Sequence, residues 1–439
     1  MSTHPTLPAA LEPPQRRFPT WLIGILYSAS GSMNGFVAVS LATLLTGRGV
    51  SNAREAAITA LILTPSYLSF LFTPLVDCGM SRRAWAMLLA VGGAVCLGTG
   101  VLLTPAASAG GGYGGGANLL ILTLLLGYLC TQMYSSTIGG MVPNLVEPAR
   151  QSAASAWLNI AYLGLTGLCG YLSVWEIRHV SLHTAALLIP LPILLSASPL
   201  LFTAREHRVP KRAGEAMREL GRNLLLSARQ RSYWFALLVF IVPSATFAMQ
   251  NLFGGIGRDF GVSDERTAFI SGVVLAIACI VGSALGGPLS NRYDRRLLFI
   301  APAMVAGLGS LAMIALLNRG IAPATVFLAG VCFYNVLAGI NYTATSALVF
   351  QIVGRDNPLS ATQYAICIAA CNAAIAGAVA LDGSGSNLHG HWAGARGELL
   401  TDALLSLVLG AVVLALVWRF GGGFPRPPVD EADASQAPS

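Results

Sequence analysis

The sequence predicts an all-α membrane protein of twelve transmembrane helices arranged as two six-helix halves. Three observations predict it. Only 10% of the residues are charged while 54% are hydrophobic, against about 25% charged in a soluble domain. The apolar residues gather into roughly twelve runs, each long enough to cross a bilayer. A short segment recurs about half a chain apart. A soluble surface could not be covered with so few charges, whereas a lipid-facing surface needs none.

Taken in order, the first apolar run is Trp21 to Leu45, preceded by a proline-rich polar tail carrying Arg16 and Arg17. It is too long for a signal-peptide core and no small-residue cleavage site ends it, so it is expected to be retained. Five runs follow: Ala57 to Val76, Ala84 to Leu103, Leu119 to Met141, Ala153 to Val174 and Ser181 to Leu201. Residues 203–232 then interrupt the pattern with eight basic residues opposed by Glu206, Glu215 and Glu219. Within them, 213–228 carries Met217, Leu220 and Leu224 at helical spacing, the pattern of an amphipathic helix on a membrane surface. The remaining runs are Tyr233 to Leu252, Ala268 to Leu289, Leu297 to Leu317, Thr325 to Phe350, Ala361 to Leu381 and Leu399 to Phe420. The expected organisation is a tail over 1–20, a six-helix bundle over 21–202, a linker over 203–232, a second bundle over 233–420 and a tail over 421–439.

Net charge is +7, and the basic residues fix orientation rather than a nucleic-acid partner. With the amino terminus inside, 19 of the 26 Lys and Arg fall on inside segments. This bias places both termini in the cytoplasm, and an even number of spans requires them to share a side. The glycine-rich loop around Gly110 to Gly116 follows no strand and reads as a flexible outside loop. The eight cysteines lie in or beside apolar runs, and none forms a C-x-x-C. They read as small packing residues rather than a disulfide framework. His389 and His391 lack the further ligands that a metal site needs. No cofactor is expected.

The repeated segment comprises Pro74-Leu75-Val76-Asp77 followed by Arg82-Arg83, and Pro288-Leu289-Ser290-Asn291 followed by Arg295-Arg296. Each ends the second helix of a half. An acid or amide at a helix end facing arginines in a tight loop makes a plausible latch between bundles, since arginine also interacts favourably with terminal helix carbonyls. Asp77, Arg82, Arg83, Asn291, Arg295 and Arg296 are therefore the gating candidates.

These segments resemble the helix 2–3 signature of the major facilitator superfamily and its repeat between helices 8 and 9. More narrowly, Phe72 to Asp77, Ala338 to Ala344 and Leu359 to Ala365 resemble the peptide/acetyl-coenzyme-A/drug transporter branch, which includes AmpG-like muropeptide permeases. The stretch Thr131 to Thr137 lacks the helix 4 acids of those permeases. The resemblance implies two halves rocking about a central cavity. It also implies a bacterial inner-membrane location, a monomer in lipid, a small-molecule substrate and protons as the partner to test.

Polar residues inside apolar spans are costly unless they face protein or water, and here they cluster. Asn34 lies in helix 1 and Tyr67 in helix 2. Gln132 and Tyr134 lie in helix 4, Asn159 in helix 5 and Gln250 in helix 7. Helix 10 carries Asn335, Asn341 and Tyr342; helix 11 carries Gln363, Tyr364 and Asn372. These twelve are the substrate-binding candidates. For each one singly, interhelical hydrogen bonding is the competing role. Helices 3, 6, 9 and 12 read as nearly apolar and lipid-facing. The acids, including Asp382 and Asp402, read as lying at span ends or in loops, which predicts weak proton coupling or facilitated diffusion. The expected function is secondary transport of a polar organic solute such as a muropeptide, siderophore or peptide, with import favoured. The alternative is a receptor that kept the fold. No paired acids, His/Asp pair or metal motif points to an enzyme.

Overall fold

The structure is a computed structural model that describes residues 18–46, 48–50, 52–108, 114–202, 247–355 and 357–420, with isolated positions between 214 and 229. The two tails, the 203–232 linker with its expected amphipathic helix, and most of the seventh expected span lie outside the described residues.

Among the described residues, nine helices are long and apolar enough to span a membrane. In chain order the spans are α1 (Thr20–Leu45), α2 (Ala57–Leu71), α3 (Arg82–Ala106), α4 (Gly115–Leu145), α5 (Pro148–His179) and α6 (Leu182–Ser196). α7 is described from Ala248, as short turns over Ala248–Asn251, Phe253–Ile256 and Gly257–Phe260. Then come α8 (Glu265–Arg292), α9 (Arg295–Asn318), α10 (Pro323–Val353), α11 (Ser360–Asn387) and α12 (Ala395–Phe420). The α2 and α6 helices are the two shorter apolar ones. Both are broken where a proline sits, at Pro65 and Pro190. Proline lacks the N–H of the ladder and its ring clashes with the preceding turn.

Lipid offers no hydrophobic drive between helices, so close backbone approach at small residues does the packing. A Cβ on Gly31 would lie 2.6 Å from the Tyr162 carbonyl oxygen, and one on Gly35 would press on Thr166 and Gly170, so α1 lies against the backbone of α5. In the second half, Gly282 meets Val336 and Gly286 meets Ile340 and Thr343, which joins α8 to α10. The Gly-x-x-x-Gly spacings of these two pairs thus serve close packing. Outward stripes recur at helical spacing: Leu88, Val91 and Val95 on α3, and Leu404, Val408 and Val412 on α12 are exposed. Such stripes suit contact with acyl chains.

The span ends define two faces. One, the Asp77 face, carries both short arginine loops. The other carries the end of α11 and the start of α12. A buried cluster built from the first half continues into Phe350, Ala361 and Tyr364 of the second. The second half's own cluster takes in Leu163 of α5. The halves are therefore packed together from the Asp77 face toward mid-depth.

Candidate functional site

The Asp77 face holds the halves together through a matched pair of contacts. Asp77 is 6% exposed. Its Oδ1 accepts from Arg82 Nη2 at 3.3 Å. Its Oδ2 crosses to the other half, accepting from the Thr362 backbone N at 2.9 Å and from Thr362 Oγ1 at 2.7 Å. Helix α11 has no side-chain cap of its own, since Leu359 stands before its first turn. Asp77 therefore caps it in trans, placing negative charge on orphan donors at the positive end of the dipole. Arg82 Nη2 adds bonds to the carbonyls of Asn357 at 2.9 Å and Pro358 at 3.3 Å.

The repeat supplies the counterpart. Arg295 Nη2 donates to Ser152 Oγ at 3.1 Å, and Ser152 lies in the first turn of the α5 helix as Thr362 does in that of α11. Each half's arginine loop thus grips the start of the other half's fifth helix. Not every gating candidate crosses over. Arg83 donates to the Leu201 carbonyl within its own half at 3.1 Å. Arg296 pairs with Asp294 at 2.8 Å, and Asn291 is exposed. Arg355, not singled out from sequence, donates to the Pro143 carbonyl at 3.0 Å and so ties the α10–α11 loop to the end of α4.

Above this face, hydroxyls and amides take over from charges. Tyr27 of α1 and Tyr364 of α11 share a hydrogen bond of 2.7 Å between halves. Glycine makes room for it: Gly139 of α4 lies directly against the Tyr364 ring. Asn159 of α5 donates to the Tyr342 carbonyl at 3.3 Å and to Ser346 Oγ at 3.2 Å on α10. Asn372 of α11 donates to the Ser66 carbonyl of α2 at 2.9 Å. Together with the Asp77 face, these bonds join the halves between that face and mid-depth.

Around them stands an uncharged group. Tyr162 lies within electrostatic reach of Tyr27, Tyr128 and Tyr342. Tyr128 donates to Asn34 Oδ1 at 3.3 Å, and Tyr342 to Gln250 Oε1 at 2.7 Å. Gln132 lies against Tyr128. Asn34, Gln132, Gln250, Tyr342 and Asn372 are half-buried, as is Tyr67. Tyr27 and Tyr128 are not singled out by the sequence reading, although Tyr27 precedes Asn34 by seven residues and Tyr128 precedes Gln132 by four. Those spacings put each pair on one helix face.

Other candidates go elsewhere. Tyr134 is buried and accepts from Ser196 of α6 at 3.2 Å. Asn335 is fully buried, accepting from Cys279 Sγ at 3.5 Å. Asn341 is fully buried and donates to the Phe299 carbonyl of α9 at 2.6 Å. Gln363 is exposed and bonded to Asn357 at 2.7 Å. One expectation is corrected here. Asp402 does not sit at a span end: it is 1% exposed and about two turns inside α12, whereas Asp382, also 1% exposed, stands in the last α-helical turn of α11. The structure starts α12 at Ala395, which draws Asp402 into the span. Helices α9 and α12 accordingly carry buried Ser310, Asp402 and Ser406 between them, beside their lipid-facing stripes.

The comparisons agree with this architecture. A family profile described as Major Facilitator Superfamily matches residues 20–381. The structure is similar to that of the proton:xylose symporter XylE bound to 6-bromo-6-deoxy-D-glucose, at 13% identity and a TM-score of 0.66, covering 93% of this chain and 96% of that one. It is similar to the human organic anion transporter MFSD10 (TETRAN), at 19% identity and a TM-score of 0.64, covering 92% and 100%. It is also similar to the E. coli fucose:proton symporter FucP, at 16% identity and a TM-score of 0.64, covering 91% and 99%.

Proposed function

The chain belongs to the major facilitator superfamily, and from that premise we propose that it is a secondary transporter carrying a small or medium polar organic solute by alternating access. One observation carries the reading. Two halves meet at one face through paired charge-to-helix contacts, beneath a group of tyrosines and amides contributed by both. Hydroxyls and carboxamides can donate and accept toward a neutral polyol, a sugar-like group or a peptide backbone. Among the described residues, no charged side chain enters that set. Each half moves as a body on seams such as α1–α5 and α8–α10, where adding a side chain is blocked.

The positive-inside bias supports assigning the Asp77 face to the cytoplasm and the membrane to the bacterial inner membrane. In that reading the contacts described close the cytoplasmic side, and solute enters from the opposite one. The resemblance of Leu359 to Ala365 to the muropeptide-permease branch puts cell-wall fragments first among substrates, with siderophores and other peptide-like compounds next, and favours import. The two-halves division at 21–202 and 233–420 supplies the moving bodies.

The test is a thermal-shift screen of the purified protein against cell-wall fragments, siderophores and sugars, followed by uptake into proteoliposomes. A ligand that raises Tm and is taken up supports transport. Tight binding without flux would favour the receptor reading, and no response to any polar solute would contradict both.

A further inference from the structure

Away from the tyrosine group, the second half buries three carboxyl groups where α9, α10, α11 and α12 meet. Asp402 lies about two turns inside α12, or ~10 Å along its axis. Its Oδ1 accepts from Tyr334 Oη of α10 at 2.9 Å, and its Oδ2 from Ser310 Oγ of α9 at 2.5 Å. Asp382 of α11 is within electrostatic reach of both Asp402 and Glu398. Asp382 Oδ1 and Glu398 Oε2 are buried with no hydrogen-bond partner, and their residues are 1% and 9% exposed. The backbones of α11 and α12 touch at Gly385 and Gly397, three residues beyond Asp382 and one before Glu398.

Among the described residues, the groups packed against them are hydroxyls and a further acid, with arginines at the rim. From α9 comes the Ser310 hydroxyl, from α10 the Tyr334 hydroxyl, and from the end of α7 a further acid, Asp259, whose Oδ2 accepts from the Ala395 backbone N. At the rim, Arg396 is bonded to the exposed His391, and Arg258 is exposed. A buried carboxylate oxygen without a donor costs several kcal/mol, and native structures leave few such atoms. A proton bound to a carboxyl removes the charge that burial penalises.

We propose that Asp382, Glu398 and Asp402 form a proton-binding site, set apart from the tyrosine group, that governs the position of α7. The link runs through packed rings. Tyr334 meets Phe247 edge-on at 5.5 Å and Phe253 at 5.4 Å. Phe247 lies 6.0 Å from Tyr342, whose hydroxyl holds Gln250 of α7. Asp259 fixes the far end of the same segment to the start of α12. Over this stretch α7 is a succession of short turns, the form that discontinuous helices take beside transporter binding sites. Proton transfer onto Asp402 Oδ1 turns this bond round, so that the carboxyl O–H donates to Tyr334 Oη, and it removes the negative charge beside the ring, which alters the packing that positions α7. The consequence for transport rests on the reading above; proton binding itself does not.

Infrared difference spectra between acid and alkaline pH test the proposal on the full chain in proteoliposomes, by the C=O stretch of protonated carboxyls. The wild type is expected to show a pH-dependent buried carboxyl band, lost in Asp402→Asn or Asp382→Asn and shifted in Tyr334→Phe. Asparagine keeps both hydroxyl contacts at 402, and Tyr334→Phe leaves every acid in place if that variant does not assemble. A band unchanged in all these variants and in Glu398→Gln would overturn the site. A band that instead follows sodium at constant pH would overturn the proton assignment. Alkylation of Cys279, which faces Gln250 at 3.8 Å, is expected to follow pH in the wild type and to lose that dependence in Asp402→Asn; equal dependence in both would overturn the link to α7. No solute enters these measurements, so their failure leaves the transport reading standing, and failure of every solute screen leaves them interpretable.

Discussion

Asp77 caps a helix of the opposite half: its Oδ2 accepts from the backbone N of Thr362 at 2.9 Å and from the threonine hydroxyl at 2.7 Å. The two residues are 285 positions apart, and nothing within the first turn of α11 replaces the contact. A charge-assisted bond to a helix start contributes ~1–3 kcal/mol, enough to set which of two packings dominates. Asp77→Asn is therefore expected to shift the balance roughly tenfold toward opening of this face. Native Cys78, 4% exposed and adjacent, reports it: mass-spectrometric labelling of its thiol should rise in the variant. Unchanged labelling would remove the latch.

How much of this was readable depends on the type of feature. The spans were legible because twenty apolar residues have few other uses, and the repeat was legible because Pro-Leu-x-Asp/Asn recurs with its arginines. The partner of Asp77 was not, because Thr362 carries no sign in sequence that it lies beside α2. Asp402 was misplaced for a sharper reason. An α12 taken to begin at Leu399 rather than Ala395 puts Asp402 at a helix end instead of two turns inside. A boundary shift of four residues, ordinary for sequence reading, hid a buried polar cluster of the second half. Likewise Asn341 reads as a chamber residue because polar side chains cluster in these spans, and its bond to the Phe299 carbonyl of α9 depends on packing that the sequence does not display.

The hydroxyl pair of Tyr27 and Tyr364 offers a measurable coupling between halves. Each Phe substitution removes one partner of a buried bond, and a double-mutant cycle isolates the pairwise part. A coupling energy of ~0.5–1.5 kcal/mol is expected from thermal unfolding of the four proteins. Additive changes would mean that the bond does not hold the halves.

The polar residues should separate into two groups. Gln132→Ala, Tyr342→Phe and Gln250→Ala alter half-buried groups around the chamber and are expected to weaken solute binding several-fold with little change in Tm. Asn341→Ala removes the donor to the Phe299 carbonyl in a fully buried seam. It is expected to lower stability by ~1–3 kcal/mol while leaving solute affinity nearly unchanged. Thermal shift with and without the solute found by screening reads both, and a reversed pattern would exchange their roles.

The small-residue seams give a steric prediction. A Cβ at Gly31 would stand 2.6 Å from the Tyr162 carbonyl oxygen, backbone that cannot rotate aside. Gly31→Ala is expected to cost ~1–3 kcal/mol by overpacking. Gly261→Ala, where no atom lies within 4 Å of a Cβ but φ is +67°, should cost ~1 kcal/mol through backbone strain alone. Tm measurements on both variants separate crowding from conformation.

The central claim is that two halves rock about an uncharged chamber and are latched at the Asp77 face. Electron–electron distance measurement between spin labels at Ala149→Cys and Ile352→Cys, which lie on opposite halves at that face and are exposed, tests it most directly in a background with the native cysteines replaced. The expected result is a short distance in the parent that lengthens in Asp77→Asn, while a label pair on the opposite face shortens in step. A single distance unaltered by Asp77→Asn and by every solute that binds would contradict the account.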